Sequence, residues 1–194
     1  SAVVENIGDG TKSIGDYSDE EVLEIFKNQV TQTSVTVDGM VKDDVQAEDI
    51  DMKKEKKKAD ADKVLPFFTF KNGDKQSYIV AVRGNGLWDE IWGYIALDAD
   101  KNTITGASFD HQGETPGLGA EIKDNKKFPA SFKGKKIYTE SGEYVSVLVK
   151  KGGAEEGNPH QVDGISGATV TADGVTEMLK RGLAYYEPYL KSLK

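Results

Sequence analysis

A segment of small and hydroxyl-bearing residues, Asp163-Gly164-Ile165-Ser166-Gly167-Ala168-Thr169, directly precedes a run with helical spacing. Small residues let backbone N–H groups approach an anion closely. The positive end of a following helix dipole would stabilise a phosphate there by roughly 0.3–1 kcal/mol. The segment therefore fits a phosphate site. It also fits a turn that only caps a helix, and spacing alone favours that simpler interpretation.

Two further segments have the composition of shaped turns. One is His111-Gln112-Gly113-Glu114-Thr115-Pro116-Gly117-Leu118-Gly119, and the other is Gly84-Asn85-Gly86-Leu87-Trp88-Asp89. Taken alone, the first is an ordinary turn after a strand. In the second, Trp88 follows a flexible turn, and burial in the core is the default for a lone tryptophan.

Other site chemistries have weaker support in these residues. A hydrolase could use Ser166 with His160 and Asp163, but Gly167 follows the serine directly, so the G-x-S-x-G elbow is missing. A metal site at His111 and Glu114 would have only two ligands, at a spacing that is common by chance. The sequence therefore predicts no catalytic residue and no metal site.

No dinucleotide fingerprint is present either. The glycines at 84 and 86 are followed by Asp89 where a third glycine should be, and those at 117 and 119 are followed by Ile122. A nicotinamide cofactor should therefore bind elsewhere than on this chain.

Composition narrows the protein class. The 194 residues contain no cysteine, which excludes disulfides, thiolate zinc sites, iron–sulfur clusters and thiol redox chemistry. The net charge of −8 argues against a nucleic acid partner. No run of apolar residues approaches the ~20 that a membrane span needs, so we expect any membrane attachment through a segment absent from this sequence.

The elements that would position these segments are mostly strands, with a helix near each end. Ser18 and Glu21 form a capping box that predicts a helix over about 18–29. Residues 42–63 are highly charged, which favours a solvated loop or helix face. Alternation and turn signals predict the later elements: strands at 64–70, 78–82, 91–97, 103–109 and 144–149, a loop at 152–157, and a helix at 175–190.

These patterns predict an α+β fold. It should be a single domain with a central antiparallel sheet flanked by helices. Residues 1–63 would form an N-terminal helix and a charged lead-in that packs on or precedes the domain, and residues 64–194 would form the domain itself.

Three stretches together resemble one known family. Signatures of the FMN-binding domain shared by NqrC and RnfG are similar, in order and separation, to the runs GNGLWDEIWGYIALD, HQGETPGLGAEI and DGISGATVT of this sequence. The resemblance extends over about residues 76–181, and the first run is more similar to the NqrC branch. An RnfG-type subunit of a ferredoxin:NAD⁺ oxidoreductase and a binding module without flavin remain as alternatives.

The resemblance implies a cofactor and its site. FMN would be esterified through its phosphate to Thr169, the last residue of the SGAT motif. Ser166, Gly167, Ala168 and Asp163 would lie on the phosphate side. The ring side would comprise Gly86, Leu87, Trp88, Glu114, Thr115, Leu118 and Gly119.

The resemblance also implies a role and partners. The chain would be an electron-transfer subunit of a membrane complex that oxidises NADH, reduces ubiquinone and moves sodium ions, without complete catalytic activity of its own. Thr169 has no activating base beside it in the sequence, so self-catalysed attachment is not expected. The resemblance implies that a separate flavin transferase attaches the flavin. The complex would lie in the cell inner membrane, with this domain on the periplasmic side.

Overall fold

The computed structural model describes residues 17–193. The sequence also predicts a loose lead-in at residues 1–17, and this prediction falls almost wholly outside the described range. The described strands are β1 (Val30–Thr36), β2 (Val64–Asn72), β3 (Lys75–Asn85), β4 (Glu90–Asp98), β5 (Ile104–His111), β6 (Leu148–Lys150) and β7 (Gln161–Asp163). The described α-helices are α1 (Asp19–Gln29), α2 (Met52–Lys57), α3 (Glu121–Asp124), α4 (Lys127–Ala130), α5 (Thr169–Ala184) and α6 (Glu187–Ser192).

Five strands form an antiparallel sheet in the order β1-β2-β3-β4-β5. A tight turn at Gly73, with φ of +58°, joins β2 to β3. The α+β fold with a central antiparallel sheet is therefore confirmed. A parallel pair, β6 and β7, forms a second small sheet beside α5.

Both faces of the sheet are covered by other elements, but to different extents. The larger core lies between one face and α5, and it includes Phe67, Val82, Ile95 and Leu179. A smaller cluster on the other face, around Phe70, packs against α1. Helix α5 is thus fixed across the sheet, with its N-terminus beside the loop that joins β3 to β4.

The N-terminal region contributes to this sheet. Strand β1 precedes residue 63 and pairs with β2, which follows it, through a register that includes Val30 with Phe70. A domain boundary at 63/64 stays a prediction, and the hydrogen-bonded sheet crosses that point. The Val- and Thr-rich composition of β1 is typical of a strand, although the elements predicted from the sequence do not include it.

Two other predicted elements were wrong in their bounds. The strand predicted over 144–149 shrinks to β6 because Ser146 has φ of +61°, which extended backbone cannot accommodate. The helix predicted over 175–190 starts earlier, at Thr169, and is interrupted after Ala184. Pro188 lacks the N–H that a continuous helix would donate to the Ala184 carbonyl.

The charged region 42–63 is only partly solvated. Helix α2 exposes most of its lysines, but Glu55 is buried and accepts a hydrogen bond from the Val64 N–H at 2.9 Å. Lys56 donates to the Gly84 carbonyl at 3.3 Å and to Glu90 at 3.1 Å. The prediction of a solvated face is therefore wrong for the side of α2 that fixes the end of β3.

Candidate functional site

The three segments singled out in the sequence converge on one buried carboxylate. Glu114 is 4% exposed, and its Oε1 accepts a hydrogen bond from the Trp88 backbone N–H at 2.9 Å. Its Oε2 accepts one from the Thr171 hydroxyl at 2.5 Å. One side chain thus joins the β3–β4 loop, the turn after β5 and the first turn of α5.

Glycines on two sides let the carboxylate sit there. A Cβ atom built on Gly86 would lie 2.5 Å from Glu114 Oε1. A Cβ on Gly119 would collide with Oε2 and with the Thr171 hydroxyl. The glycines at both positions are therefore needed for close approach to Glu114 rather than for turn conformation.

Trp88 is exposed but held in place. The residue is 69% exposed, so the alternative that it belongs to the core is wrong. Its indole Nε1–H donates to the Thr115 hydroxyl at 3.1 Å, and its backbone N–H is bonded to Glu114. An open aromatic face with a satisfied ring N–H is suited to stacking against a flat aromatic molecule.

Three other large apolar side chains in these segments or directly after them are exposed. They are Leu87, Leu118 and Val170. Leu118 lies against the glycine-rich turn, since a Cβ on Gly167 would be 2.7 Å from its Cδ2. Gly167 also has φ of +77°, a conformation that favours glycine.

Helix α5 begins without a side-chain cap. Ala168 occupies the N-cap position, whereas α1 is capped by Ser18 and α2 by Asp51, and no described side chain caps α5. The first N–H groups of a helix have no intrahelical partner, and they attract anions. Thr169, the first helical residue, is half-buried beside them.

The three hydroxyl residues of this stretch differ in accessibility. Thr171 is 1% exposed, and its hydroxyl is bonded to Glu114. Ser166 is exposed and Thr169 is half-buried. Thr171 is therefore not available for modification in the folded protein, which leaves Ser166 and Thr169.

Some predicted site residues are occupied by local contacts. The Asp163 carboxylate accepts the Ala154 N–H at 2.7 Å and so fixes the 152–157 loop. The His111 Nδ1 accepts the Glu114 N–H at 3.1 Å, which orders the turn after β5. His160 Nδ1 bonds to the Lys136 carbonyl at 2.7 Å, so hydrogen bonds do not assemble a triad of Ser166, His160 and Asp163.

A network of ion pairs and hydrogen bonds, which was not predicted from the sequence, holds the two ends of the β3–β4 loop. Glu90 pairs with Arg83 at 2.5 Å and with Lys56 at 3.1 Å, and Lys56 also contacts the Asn85 side chain. The pKa of Glu90 is lowered to about 2, mainly by the hydrogen bond from Arg83. Partial desolvation opposes this shift, and the hydrogen bond from Lys56 adds to it. A lone Glu in a strand gives no sequence signal for such pairing.

Comparison with known proteins identifies the family. The model of the FMN-binding domain family matches residues 86–184, which contain all of the 111–119 and 163–169 segments and the 86–89 part of the 84–89 segment. This chain belongs to the FMN-binding domain family. A crystal structure of NqrC, the C subunit of the Na(+)-translocating NADH-quinone reductase, from Parabacteroides distasonis is 41% identical, with a TM-score of 0.81. The match covers 92% of this chain and 86% of that one.

Other relatives of this FMN-binding domain carry the same name. A structure of Shewanella oneidensis NqrC is 30% identical, with a TM-score of 0.79, and covers 91% of this chain and 89% of that one. The NqrC of Vibrio campbellii is 46% identical over 109 residues, which are 56% of this chain and 41% of that relative. The aligned region thus spans less than half of that relative's length. The similarities favour the NqrC branch, and nothing in them favours RnfG.

Among residues 17–193, no helix of the FMN-binding domain combines the length and the apolar character needed to cross a bilayer. The same residues contain no group of three or more histidine, aspartate or glutamate side chains arranged to hold a metal ion.

Proposed function

We propose that this chain carries FMN, joined through its phosphate to Thr169, as an electron-transfer subunit of a sodium-translocating NADH:quinone reductase. Bound FMN supplies one- and two-electron transfer. The observation that carries the proposal is that Glu114 joins an exposed, fixed Trp88 to an uncapped helix that begins at Thr169. The names of its relatives support the wider role.

The described residues fit the two ends of FMN. The free N–H groups of α5 suit a phosphate ester on Thr169, which keeps a negative charge. Trp88, Leu87 and Leu118 offer apolar surface for the ring. Because this surface is open, noncovalent affinity would be limited, and a covalent link would hold the ring at an effective concentration of roughly millimolar.

Thr169 is a more suitable attachment point than Ser166. Neither residue is buried, but Thr169 is the first helical residue and stands beside the free N–H groups, whereas Ser166 lies before the Gly167 turn. Thr169 is also the residue that the family motif implies. A threonine hydroxyl is a weak nucleophile without an activating base, and a separate transferase would supply that activation.

The partners follow from this role. They are the other subunits of an Nqr-type complex in the inner membrane and the flavin transferase. The domain would lie on the periplasmic side, attached through a segment outside this sequence.

Co-expression with and without a flavin transferase tests the proposal. With the transferase, the intact mass should increase by one FMN less one water, and yellow absorbance should remain with the denatured protein. Without it, the protein should stay unlabelled on incubation with FMN or FAD. Absence of covalent flavin in both preparations would contradict the proposal, and labelling by FMN or FAD alone would contradict the need for the transferase.

Gly167→Ala is expected to slow labelling. The alanine would adopt a left-handed backbone at a cost of roughly 1–2 kcal/mol, which corresponds to roughly a tenfold lower rate if the transferase needs the native turn. Its Cβ would also displace Leu118. The measurement is the rate of mass increase with purified transferase.

Gly157→Ala is the matched control. Gly157 has a similar φ of +73°, but a Cβ there meets open space. This variant should label at the wild-type rate. Equal slowing in both variants would show that the turn at 167 has no special role.

A further inference from the structure

We propose that Glu114 is a positioning residue, which fixes the Trp88 platform to the first turn of α5 through its bond to Thr171. The proposal rests on the proposed function, because the platform and the helix are the two parts of the FMN site. The family resemblance implies that Glu114 contacts the FMN ring. In this proposal Glu114 instead holds Trp88, which would contact the ring.

Burial separates Glu114 from the open surface. The residue is 4% exposed, whereas Trp88 above it is 69% exposed. Both carboxylate oxygens are already bonded, one to the Trp88 N–H and one to the Thr171 hydroxyl. Glycines at 86 and 119 pack against those same oxygens, so the carboxylate has no free direction toward solvent. It can contact a ring at the surface only through the groups that it holds.

The turn that carries Glu114 is itself fixed. The Glu114 N–H donates to His111 Nδ1 at 3.1 Å, which ties the turn to the end of β5. The next residue, Thr115, accepts the indole N–H of Trp88 at 3.1 Å. Backbone and ring of Trp88 are therefore held by adjacent residues of one turn, so displacement of Glu114 should move both.

Thr171 offers a way to disturb this support without touching the surface. It is 1% exposed, so it cannot contact a ring placed on Trp88, and its hydroxyl donates to Glu114. Thr171→Val keeps the shape and leaves one carboxylate oxygen unsatisfied. A buried acceptor without a partner is costly, and we expect Glu114 to shift toward another donor.

The matched control lies on the same helix. Thr176 is half-buried, and its hydroxyl accepts the Val149 N–H at 3.0 Å and donates to the Ala172 carbonyl at 3.2 Å, so its bonds are made away from Glu114. Thr176→Val therefore also removes a bonded hydroxyl from α5. Any effect of general weakening of the helix should appear in both variants.

The experiment first measures hydrogen exchange of Trp88 in the flavin-free full chain by NMR. In Thr171→Val, exchange of the Trp88 backbone and indole N–H should be roughly tenfold faster, as expected for loss of one hydrogen bond. Thr176→Val should match the wild type, and Thr171→Ser, which keeps the hydroxyl, should restore slow exchange. A Trp92→Phe background identifies the Trp88 indole signal.

The second arm measures the flavin midpoint potential of the same variants after labelling by the transferase. The potential should shift in Thr171→Val and stay at the wild-type value in Thr171→Ser and Thr176→Val. Unchanged Trp88 exchange in Thr171→Val, or equal acceleration in Thr176→Val, would overturn the proposal. Because the exchange arm uses flavin-free protein, it gives its answer even if Thr169 never carries flavin, and a failure of the proposed function would show separately as missing label.

Discussion

Thr169→Ala is expected to abolish covalent flavin. The substitution removes the hydroxyl that would form the phosphoester, and the remaining candidates are poorly placed. Thr171 is 1% exposed and bonded to Glu114, and Ser166 lies on the other side of the Gly167 turn. The fold should persist, with a change of about 0.5 kcal/mol or less in unfolding free energy, because the change removes only a few atoms from a half-buried position. Intact mass after co-expression with the transferase measures the outcome.

Two other variants control for recognition and for chemistry. Ser166→Ala should keep the bond at Thr169, although the loss of a hydroxyl from the motif can slow the transferase. Thr169→Ser should keep partial labelling, because the attacking oxygen is retained. Flavin on Ser166 or Thr171 in the Thr169→Ala variant would refute the assignment.

Glu90→Gln is expected to destabilise the protein at pH 7 by about 3 kcal/mol, because one pKa unit corresponds to about 1.4 kcal/mol. The carboxylate pairs with Arg83 and Lys56, and these contacts lower its pKa from 4.5 to about 2. The unfolded chain therefore binds a proton at higher pH than the folded protein does. The contribution of Glu90 is fully present above pH 4.5 and is lost as the pH falls toward 2.

Urea unfolding of the flavin-free protein over a pH series measures this effect. The difference between wild type and Glu90→Gln should be largest at pH 7 and should shrink progressively below pH 4.5. Glu140, an exposed loop residue, provides the control, and Glu140→Gln should follow the wild-type profile. A stability difference that is constant between pH 3 and pH 7 would contradict the role of Glu90.

The sequence predicted the antiparallel sheet because alternation and turn residues agree locally. The NG turn at 72–73 and the apolar runs on either side are short-range signals, and the structure confirms them. Strand β6 was predicted too long because the positive φ of Ser146 depends on its tertiary surroundings and leaves no local signal. Helix α5 was predicted to begin too late, since Thr and Val in its first turn are weak helix formers.

The candidate site, like the fold, was predicted from the sequence only in part. The three segments could be recognised from sequence, because each contains glycines and an unusual polar or aromatic residue. Their connection through Glu114 spans 26 residues to Trp88 and 57 to Thr171, so no local pattern reveals it. The support from Lys56 and Glu90 was missed for a similar reason, since a run of lysines gives no indication of which one faces the protein.

Localisation of the flavin within the labelled protein tests the central claim most directly. Trypsin should release residues 152–180 as one peptide, because lysines stand at 151 and 180 and neither lysine nor arginine lies between. This peptide contains Ser166, Thr169, Thr171 and Thr176, so fragmentation must distinguish them. We predict that the mass of one FMN less one water lies on Thr169. The same mass on any other residue, inside or outside this peptide, would contradict the account.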